Sequence, residues 1–450
     1  MRAPWAPIVL SLFLISASAT IVAAQGEETD ERTYLLHESD EFVGLLREAA
    51  GAITGQNIYD CIVSITGDGA NSYRLMNSPT QDMFVEKHRN VFTEANPKIK
   101  THVMHFESGG VGLGAGAAAN VAQARGGDNI IGVLPGKDLT KWVVFGGHYD
   151  NREATLGALD NASGTCTTLE LARAFASFDL QFEATVVFAW WDGEEWGLFG
   201  SSAFAKDHNS TKEILGLSTD TQIEFVTAQS YDIVGINYPA TNNWIRYGEP
   251  GVEAETAILN LRVSPTSADN ATLSSYARSI GERNDDAVWQ RNQNHSALVQ
   301  QINYGLFGLP PQWVQALDDK YGRSDQVPFS SLGVPAMRIQ GSHDEEFACY
   351  HQPCDTIPVA EQTAGGRENL IAGFDQAADS GGVVGFYAAL KGNIGQYHDA
   401  TGGFVDGKLG GPGKVGSASG KDPDATPGFG FAFLVVAGLG AMVFMSRRRA

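Results

Sequence analysis

The chain has 450 residues, of which 43% are hydrophobic and 52 are glycine, a composition typical of a globular protein with many loops. Its formal net charge is −21, from 31 basic and 52 acidic side chains. This composition excludes a disordered chain and argues against a nucleic-acid partner, because binding to phosphates needs clustered Lys and Arg.

The N-terminus predicts export. Residues 1–24 begin with Arg2, continue through an apolar run at 8–15 and end in Ala23-Ala24. These are the charged, apolar and small-residue parts of a secretory signal peptide. We therefore expect residues 1–24 to be removed and the mature chain to begin directly after them.

The middle of the chain predicts one α/β domain over residues 25–396. Apolar residues with helical spacing dominate from about Thr33 to Phe92 and return over 162–178 and 368–390. Continuous apolar runs, which are typical of buried parallel strands, lie at 142–148, at 184–191, at 223–226 extending towards Asp232, and at 334–339. This alternation favours a three-layer α/β fold with a mixed, mainly parallel central sheet flanked by helices.

Three further details are predicted from the same pattern. The run at 130–135, together with 120–123, is interpreted as a hairpin partner of the strand predicted at 142–148. Residues 235–319 are irregular, so we expect them to cross the domain surface as an excursion. Gly381-Gly382 is expected to interrupt the last helix, because glycine weakens a helix interior.

Four cysteines in an exported chain predict disulfides, with three possible connectivities. Cys349 and Cys354 are close enough in sequence to close one loop, and we predict that bridge. Cys61 and Cys166 either pair with each other or remain buried thiols, since free cysteine is also a common small core residue.

The C-terminus predicts a linker and an anchor. Residues 397–426 contain a tract rich in glycine without a periodic apolar pattern, which is typical of a linker. Residues 427–450 contain an apolar stretch followed by arginines 447–449, long enough to span a bilayer with a cytoplasmic C-terminus. Their Pro-Gly-Phe start also resembles the sorting signals of archaeal surface proteins, which are cut and replaced by a lipid. We therefore expect a domain displayed at the cell surface and held there by this segment or its lipid replacement.

Side chains that can bind metal ions follow several of the predicted strands or precede a predicted helix. Singly, each has an ordinary explanation: an aspartate before a helix is often an N-cap, and a lone histidine in a loop is often solvated. Together they supply the nitrogen and oxygen donors that two zinc ions need. The residues concerned are His148, Asp150, Asp160, Glu194, Glu195, Asp232 and His351.

The segments 157–164 and 194–201 resemble the motifs of the co-catalytic dizinc exopeptidase family, which includes bacterial leucyl aminopeptidases and glutamate carboxypeptidase-like enzymes. The resemblance extends from about Tyr59 to Leu390. It implies that Asp160 bridges two Zn²⁺ ions. The other residues that it assigns are His148 and Asp232 to one ion, Glu195 and His351 to the other, Glu194 as general base, and Asp150 as the partner of the far nitrogen of His148.

This resemblance implies a secreted or cell-surface metallopeptidase, specifically an aminopeptidase that uses a dizinc-bound water to hydrolyse peptide bonds. Three alternatives stay open. A glutamate carboxypeptidase-like enzyme would need a basic group for the substrate carboxylate, for which Arg338 and Arg323 are candidates. A glutaminyl cyclase-like enzyme would use one zinc ion, and a receptor or adhesion module on the same fold would be inactive.

Two features depart from the family pattern. Ser324-Asp325-Gln326 stands where many relatives have Ser-Asp-His, so the role of that histidine does not carry over to Gln326. The long interval between Glu195 and Asp232 leaves Asp220 as a weaker rival for the same ligand position. The Ile-Val-Gly that follows Asp232 favours Asp232.

Overall fold

The computed structural model describes residues 39–107, 126–236, 324–341 and 347–394, with shorter pieces at 238–239, 257–263, 302, 306, 314–318, 397–398 and 404–405. The predicted signal peptide at 1–24 and the predicted anchor at 427–450 lie outside these residues. Among the helices that are described, none is long and apolar enough to cross a membrane.

The described strands form a nine-stranded sheet in the order β1-β2-β4-β3-β5-β9-β7-β6, with β8 paired to β7, and a separate pair of short strands, β10 and β11. Their bounds are β1 Lys100–Phe106, β2 Gly127–Leu134, β3 Asp138–His148, β4 Ala184–Trp191, β5 Glu224–Tyr231, β6 Tyr238–Pro239, β7 Ala257–Val263, β8 Val314–Asp318, β9 Ala336–Gln340, β10 Tyr397–His398 and β11 Phe404–Val405.

Helices cover both faces of the nine-stranded sheet. Their bounds are α1 Asp40–Gly51, α2 Gly55–Thr66, α3 Pro79–His88, α4 Val91–Ala95, α5 Ser163–Ser177, α6 Phe199–Lys206, α7 Asn209–Ile214, α8 Val327–Ser331, α9 Ile357–Thr363 and α10 Arg367–Lys391. The helical pattern predicted between residues 33 and 92 corresponds to α1–α4. The three-layer α/β fold with a mixed sheet is confirmed.

The apolar strands are buried on both faces, which explains why their sequences do not alternate with polar residues. In β3, Val143 and Phe145 join the core under α5 and α10, whereas Trp142 and Val144 join the core on the side of α6. The residues of β4 divide between the two cores in the same alternating way. Successive side chains of a strand point to opposite faces, so each face receives an apolar stripe.

The centre of the sheet is parallel and brings several strand ends to one edge. β3 pairs in parallel with both β4 and β5, and β5 pairs in parallel with β9. His148 at the end of β3 is in register with Trp191 at the end of β4. Residues that follow β3, β4 and β5 therefore emerge close together, as is typical for the site of an α/β fold.

Two predictions about which segments form the sheet, and how they pair, are wrong. β2 does not pair with β3 as a hairpin; it pairs antiparallel with β1 and β4, because β4 lies between β2 and β3. The segment 235–319 is also more than a surface excursion, since β7 extends the sheet by pairing antiparallel with β9. Residues 120–123 lie outside the described part of the chain.

The last helix is continuous, so the predicted interruption at Gly381-Gly382 is also wrong. α10 spans 25 residues without a break. A Cβ atom on Gly381 would overlap the hydroxyl of Tyr231, and one on Gly382 would crowd Leu171. The two glycines let α10 pack closely on the sheet and on α5, which offsets their weak helix propensity.

Two disulfides are present. Cys349–Cys354 confirms the predicted loop, and the pairing of Cys61 with Cys166, which the sequence left open, ties α2 to α5. The first bridge spans only 5 residues in sequence and the second spans 105. A bridge that closes a longer loop restricts the unfolded chain more.

The two bridges should therefore differ in their effect on stability. Replacing Cys61 and Cys166 together by serine should lower the free energy of unfolding by about 5 kcal/mol, against about 2 kcal/mol for Cys349 and Cys354, by the loop-entropy relation. Denaturant unfolding of the two double variants measures the difference directly. A larger loss for the Cys349/Cys354 variant would contradict the loop-length explanation.

Candidate metal centre

His148 is the last residue of β3 and lies at the centre of the acidic cluster. Its Nε2 is 3.5 Å from Asp160 Oδ1 and 3.6 Å from Asp232 Oδ1. Its Nδ1 lies 3.2 Å from the backbone carbonyl oxygen of Asp150 and 3.3 Å from Asp150 Oδ1. The ring is buried, so one nitrogen faces Asp150 while the other faces the carboxylates.

Hydrogen bonds from the backbone of Asp160 and from both of its neighbours in sequence hold Asp160 in place. The carboxylate of Asp355 accepts from the backbone N–H of Leu159 at 2.9 Å and of Asp160 at 3.0 Å. The amide of Asn161 donates to the carbonyl of Tyr231 at 2.8 Å, which fastens this loop to the end of β5. Asp160 is therefore fixed between the ends of β3 and β5 rather than acting as a simple N-cap of α5.

Glu194 and Glu195 follow β4, and Asp150 also holds this turn. The two carboxylate oxygens of Asp150 accept from the backbone N–H of Glu194 at 3.1 Å and of Glu195 at 3.2 Å. Glu194 places Oε2 3.9 Å from His148 Nε2, with a side chain that is 16% exposed, whereas the side chain of Glu195 is 2% exposed. The two glutamates thus point to different parts of the site.

His351 reaches the site from the loop closed by Cys349–Cys354. Its Nε2 lies 3.1 Å from both Asp160 Oδ2 and Glu195 Oε2. The backbone of His351 has φ of 56°, in the left-handed region that residues other than glycine rarely adopt. The short disulfide loop therefore fixes a turn that directs the imidazole towards the two carboxylates.

Asp232 follows β5 directly and is 5% exposed, whereas its rival Asp220 is exposed and does not belong to the cluster. Asp232 Oδ2 lies 3.6 Å from a guanidinium nitrogen of Arg338, which is itself 1% exposed. Arg338 therefore faces Asp232 inside the protein. Arg323 lies outside the described residues.

Crowding of carboxylates in a buried site shifts several pKa values. Burial raises the pKa of Glu194 well above its ordinary range, and burial together with the nearby Asp160 raises that of Glu195. Burial alone would lower the pKa of His351, but Asp160 and Glu195 raise it to about 10. Burial alone would raise the pKa of Asp160, but His148 and His351 lower it below its ordinary value. The cluster thus attracts positive charge.

The donor atoms fall into two groups that share one aspartate. Each group has ligand atoms within 4.8 Å of one another, and the groups are His148, Asp160, Asp232 and Asp160, Glu195, His351. Three buried oxygens in these groups accept no hydrogen bond of acceptable geometry: Asp160 Oδ2, whose 3.1 Å contact with His351 Nε2 is an ion pair, Glu195 Oε1 and Asp232 Oδ1. Buried oxygens without a hydrogen bond are costly, and a pair of cations would satisfy them. Imidazole nitrogen and carboxylate oxygen suit zinc, so the residues fit two such ions.

Three residues that position the site carry no sequence motif and were not predicted. The guanidinium of Arg74 is fully buried and donates to the carbonyl oxygens of Tyr149 and Gly157, which joins the end of β3 to the loop of Asp160. Asp355 supports Asp160, as described above. Arg152 donates to Glu195 Oε2 at 2.7 Å. Only the position of Asp355 beside Cys354 could have drawn attention to it.

The segment that departs from the family pattern is buried next to this site. Ser324, Asp325 and Gln326 are each 1% exposed, and α8 begins directly after Gln326. The hydroxyl of Ser201 donates to Asp325 Oδ1 at 2.6 Å. Burial raises the pKa of Asp325 to about 7. These residues join α8 to the start of α6.

The site geometry agrees with a comparison against protein families. A model described as Peptidase family M28 matches residues 129–372, which is more than half of the chain. The chain belongs to peptidase family M28. The match includes most of β2, all of β3–β5 and β9, both donor groups and Glu194.

Individual relatives of this M28 protein are distant. A probable zinc metalloprotease of Leptosphaeria maculans is 28% identical over 238 residues, covering 51% of this chain and 49% of that protein. Aminopeptidase NAALADL1 of Rattus norvegicus is 24% identical over 255 residues, covering 54% of this chain and 29% of that protein. The M28 chain therefore spans half or less of the length of these two relatives.

A solved structure has the same fold. LapA of Legionella pneumophila matches with a TM-score of 0.51 at 16% identity, covering 78% of this chain and 77% of that one. At this identity the likeness concerns the fold, including the mixed sheet flanked by helices.

Proposed function

We propose that this M28 chain is a zinc aminopeptidase that hydrolyses the first peptide bond of its substrate. Three buried carboxylate oxygens without a hydrogen-bond partner lie in the two donor groups, and they support this function most strongly. Loss of function on the same scaffold would be expected to remove donors, and the two donor groups contain all five side chains that were predicted as ligands, which supports an active enzyme. Similarity to a protein named an aminopeptidase adds support.

The two donor groups would hold two zinc ions, with Asp160 shared between them. When bound, zinc supplies Lewis acidity, which polarises a carbonyl group and makes water a stronger acid. Asp150 and Asp355 would keep the donors in position, the first through His148 and the turn at Glu194–Glu195, the second through the backbone at Asp160. Such supporting groups commonly change metal affinity or activity by about 10–100-fold when removed.

Glu194 is the group best placed to move a proton. Its carboxylate is the more exposed of the glutamate pair and makes no hydrogen bond through its side chain with the described residues. Oε2 of Glu194 can therefore accept a proton from the attacking water, and Glu194 can then return that proton to the leaving amine. General acid–base catalysis of this kind contributes about 10²–10⁴-fold to the rate.

The site also bears on the alternative functions. Arg338 was one candidate for holding a substrate carboxylate, but it is buried and faces Asp232. This placement argues against Arg338 as the one basic group that a glutamate carboxypeptidase-like enzyme would need, and Arg323 is the other candidate. A cyclase that works with one zinc ion would not require both donor groups, and both groups are complete.

The proposed function predicts zinc-dependent trimming from the N-terminus. The purified protein should contain two zinc equivalents and hydrolyse leucyl-p-nitroanilide. A chelator should remove most of this turnover, by about 100-fold or more, and added zinc should restore it. N-acetyl-leucyl-p-nitroanilide serves as the matched control and should not be hydrolysed.

Other outcomes would identify the alternatives. Release of the C-terminal residue from an N-acetylated peptide would indicate a carboxypeptidase. Loss of ammonia from an N-terminal glutamine would indicate a cyclase. Full zinc occupancy without turnover of any of these substrates would contradict the proposed function and favour an inactive module.

A further inference from the structure

Arg152 is a half-exposed cation at the side of the metal centre. It lies two residues after Asp150, and its Nε donates to Glu195 Oε2 at 2.7 Å. The same oxygen is 3.1 Å from His351 Nε2, so Arg152 borders one of the two donor groups. Its side chain is 44% exposed, although that of Glu195 is 2% exposed. Arg152 therefore contacts the buried donor group through Nε while part of its side chain is exposed to solvent.

The two other arginines described beside the site are not exposed to solvent. Arg74 is 0% exposed and contacts backbone carbonyl oxygens, and Arg338 is 1% exposed and faces Asp232. The remaining charged groups near the donors are largely carboxylates, including Asp150 and Glu194. Of the described residues around the donors, Arg152 is thus the cation that an incoming substrate can reach.

We propose that Arg152 determines substrate preference by binding a carboxylate group of the substrate, so that this enzyme favours peptides that carry a carboxylate near the scissile bond. This inference rests on the proposed peptidase function. The carboxylate is either the side chain of an acidic N-terminal residue or the C-terminus of a dipeptide, which present the same chemistry to the arginine.

The geometry of the arginine supports this role. Glu195 engages Nε, and the two terminal nitrogens form no hydrogen bond with the described residues. Those two nitrogens form a planar fork that matches both oxygens of a carboxylate. Because Glu195 anchors the guanidinium, less side-chain freedom is lost when a substrate binds.

Substrate preference is tested by ratios of kcat/KM between matched substrates. We would measure glutamyl- against glutaminyl-p-nitroanilide, and leucyl-glycine against leucyl-glycinamide, in the wild type, R152Q and R152K. Loss of a charge-assisted contact should lower at least one ratio about tenfold or more in R152Q, with R152K intermediate. The first ratio reports an acidic side chain and the second reports a C-terminus.

The chain offers a matched control in Arg173. Arg173 also pairs with a buried glutamate, Glu170, and its side chain is 37% exposed, but it contacts the carbonyl of Ala52, away from the donors. R173Q should leave both ratios unchanged. If R152Q lowers kcat/KM equally for charged and neutral substrates, Arg152 acts only on Glu195 and the proposal is wrong.

A measurement on the wild type alone covers the case in which R152Q does not fold. Glutamate should inhibit leucyl-p-nitroanilide hydrolysis about tenfold more strongly than glutamine, or leucyl-glycine more strongly than its amide. Equal inhibition within both pairs would overturn the role of Arg152. Absence of leucyl-p-nitroanilide hydrolysis by the wild type would instead contradict the proposed function, so the two failures are distinct.

Discussion

Replacing Glu194 by glutamine should lower kcat by about 10²–10⁴-fold while the zinc content of the protein stays at the wild-type level. Glutamine has nearly the same shape as glutamate but cannot accept a proton. Glu194 belongs to neither donor group, so its substitution leaves the donors intact. Zinc analysis together with kcat on leucyl-p-nitroanilide gives both quantities for the same preparation.

Glu195→Gln is the matched control for this prediction. Glu195 is next in sequence and of the same type, but it belongs to the donor group of Asp160 and His351. Its substitution should lower zinc occupancy, and excess zinc should partly restore activity. If Glu194→Gln keeps near-wild-type turnover, another group takes the proton.

Asp160→Asn should remove bound zinc from both positions and abolish turnover. Asp160 is the one residue common to the two donor groups, and its oxygens face His148 on one side and His351 on the other. A neutral amide offers one weak acceptor in place of two anionic oxygens. Zinc content after dialysis and kcat/KM on leucyl-p-nitroanilide measure the effect.

Asp355→Asn provides a graded comparison with this variant. Asp355 does not belong to a donor group but accepts from the backbone N–H of Asp160. Its substitution should lower zinc affinity about 10–100-fold, the range found for groups that support a ligand. Retention of one tightly bound zinc ion by Asp160→Asn would contradict a shared position for Asp160.

Much of the site could be predicted because its residues follow strands with a strong local signal. β3 and β4 are continuous apolar runs, and parallel strands in an α/β fold end at the same edge of the sheet. His148 and Glu195 therefore had to emerge close together. Their combination with Asp160 was specific enough to indicate a family.

Other features depend on contacts between distant parts of the chain, which local pattern does not encode. The position of β4 between β2 and β3 follows from the whole sheet, not from the sequence of β2. The glycine pair Gly381-Gly382 is equally compatible, as a sequence, with a broken helix and with a continuous helix that packs closely on its neighbours. Arg74 and Arg152 are single polar residues without a motif, and they acquire a role only through neighbours such as Gly157 and Glu195.

The bridge between Cys61 and Cys166 bears on where the folding unit ends. The family match covers 129–372, but α1 and α2 pack on α5 and α10, and Leu46, Ile58 and Ile62 are fully buried in the same core as the sheet. A fragment cut to the matched range would lose this layer, half of the bridge and most of α10. For recombinant work, the folding unit therefore extends beyond the matched range and has to include α1, α2 and all of α10.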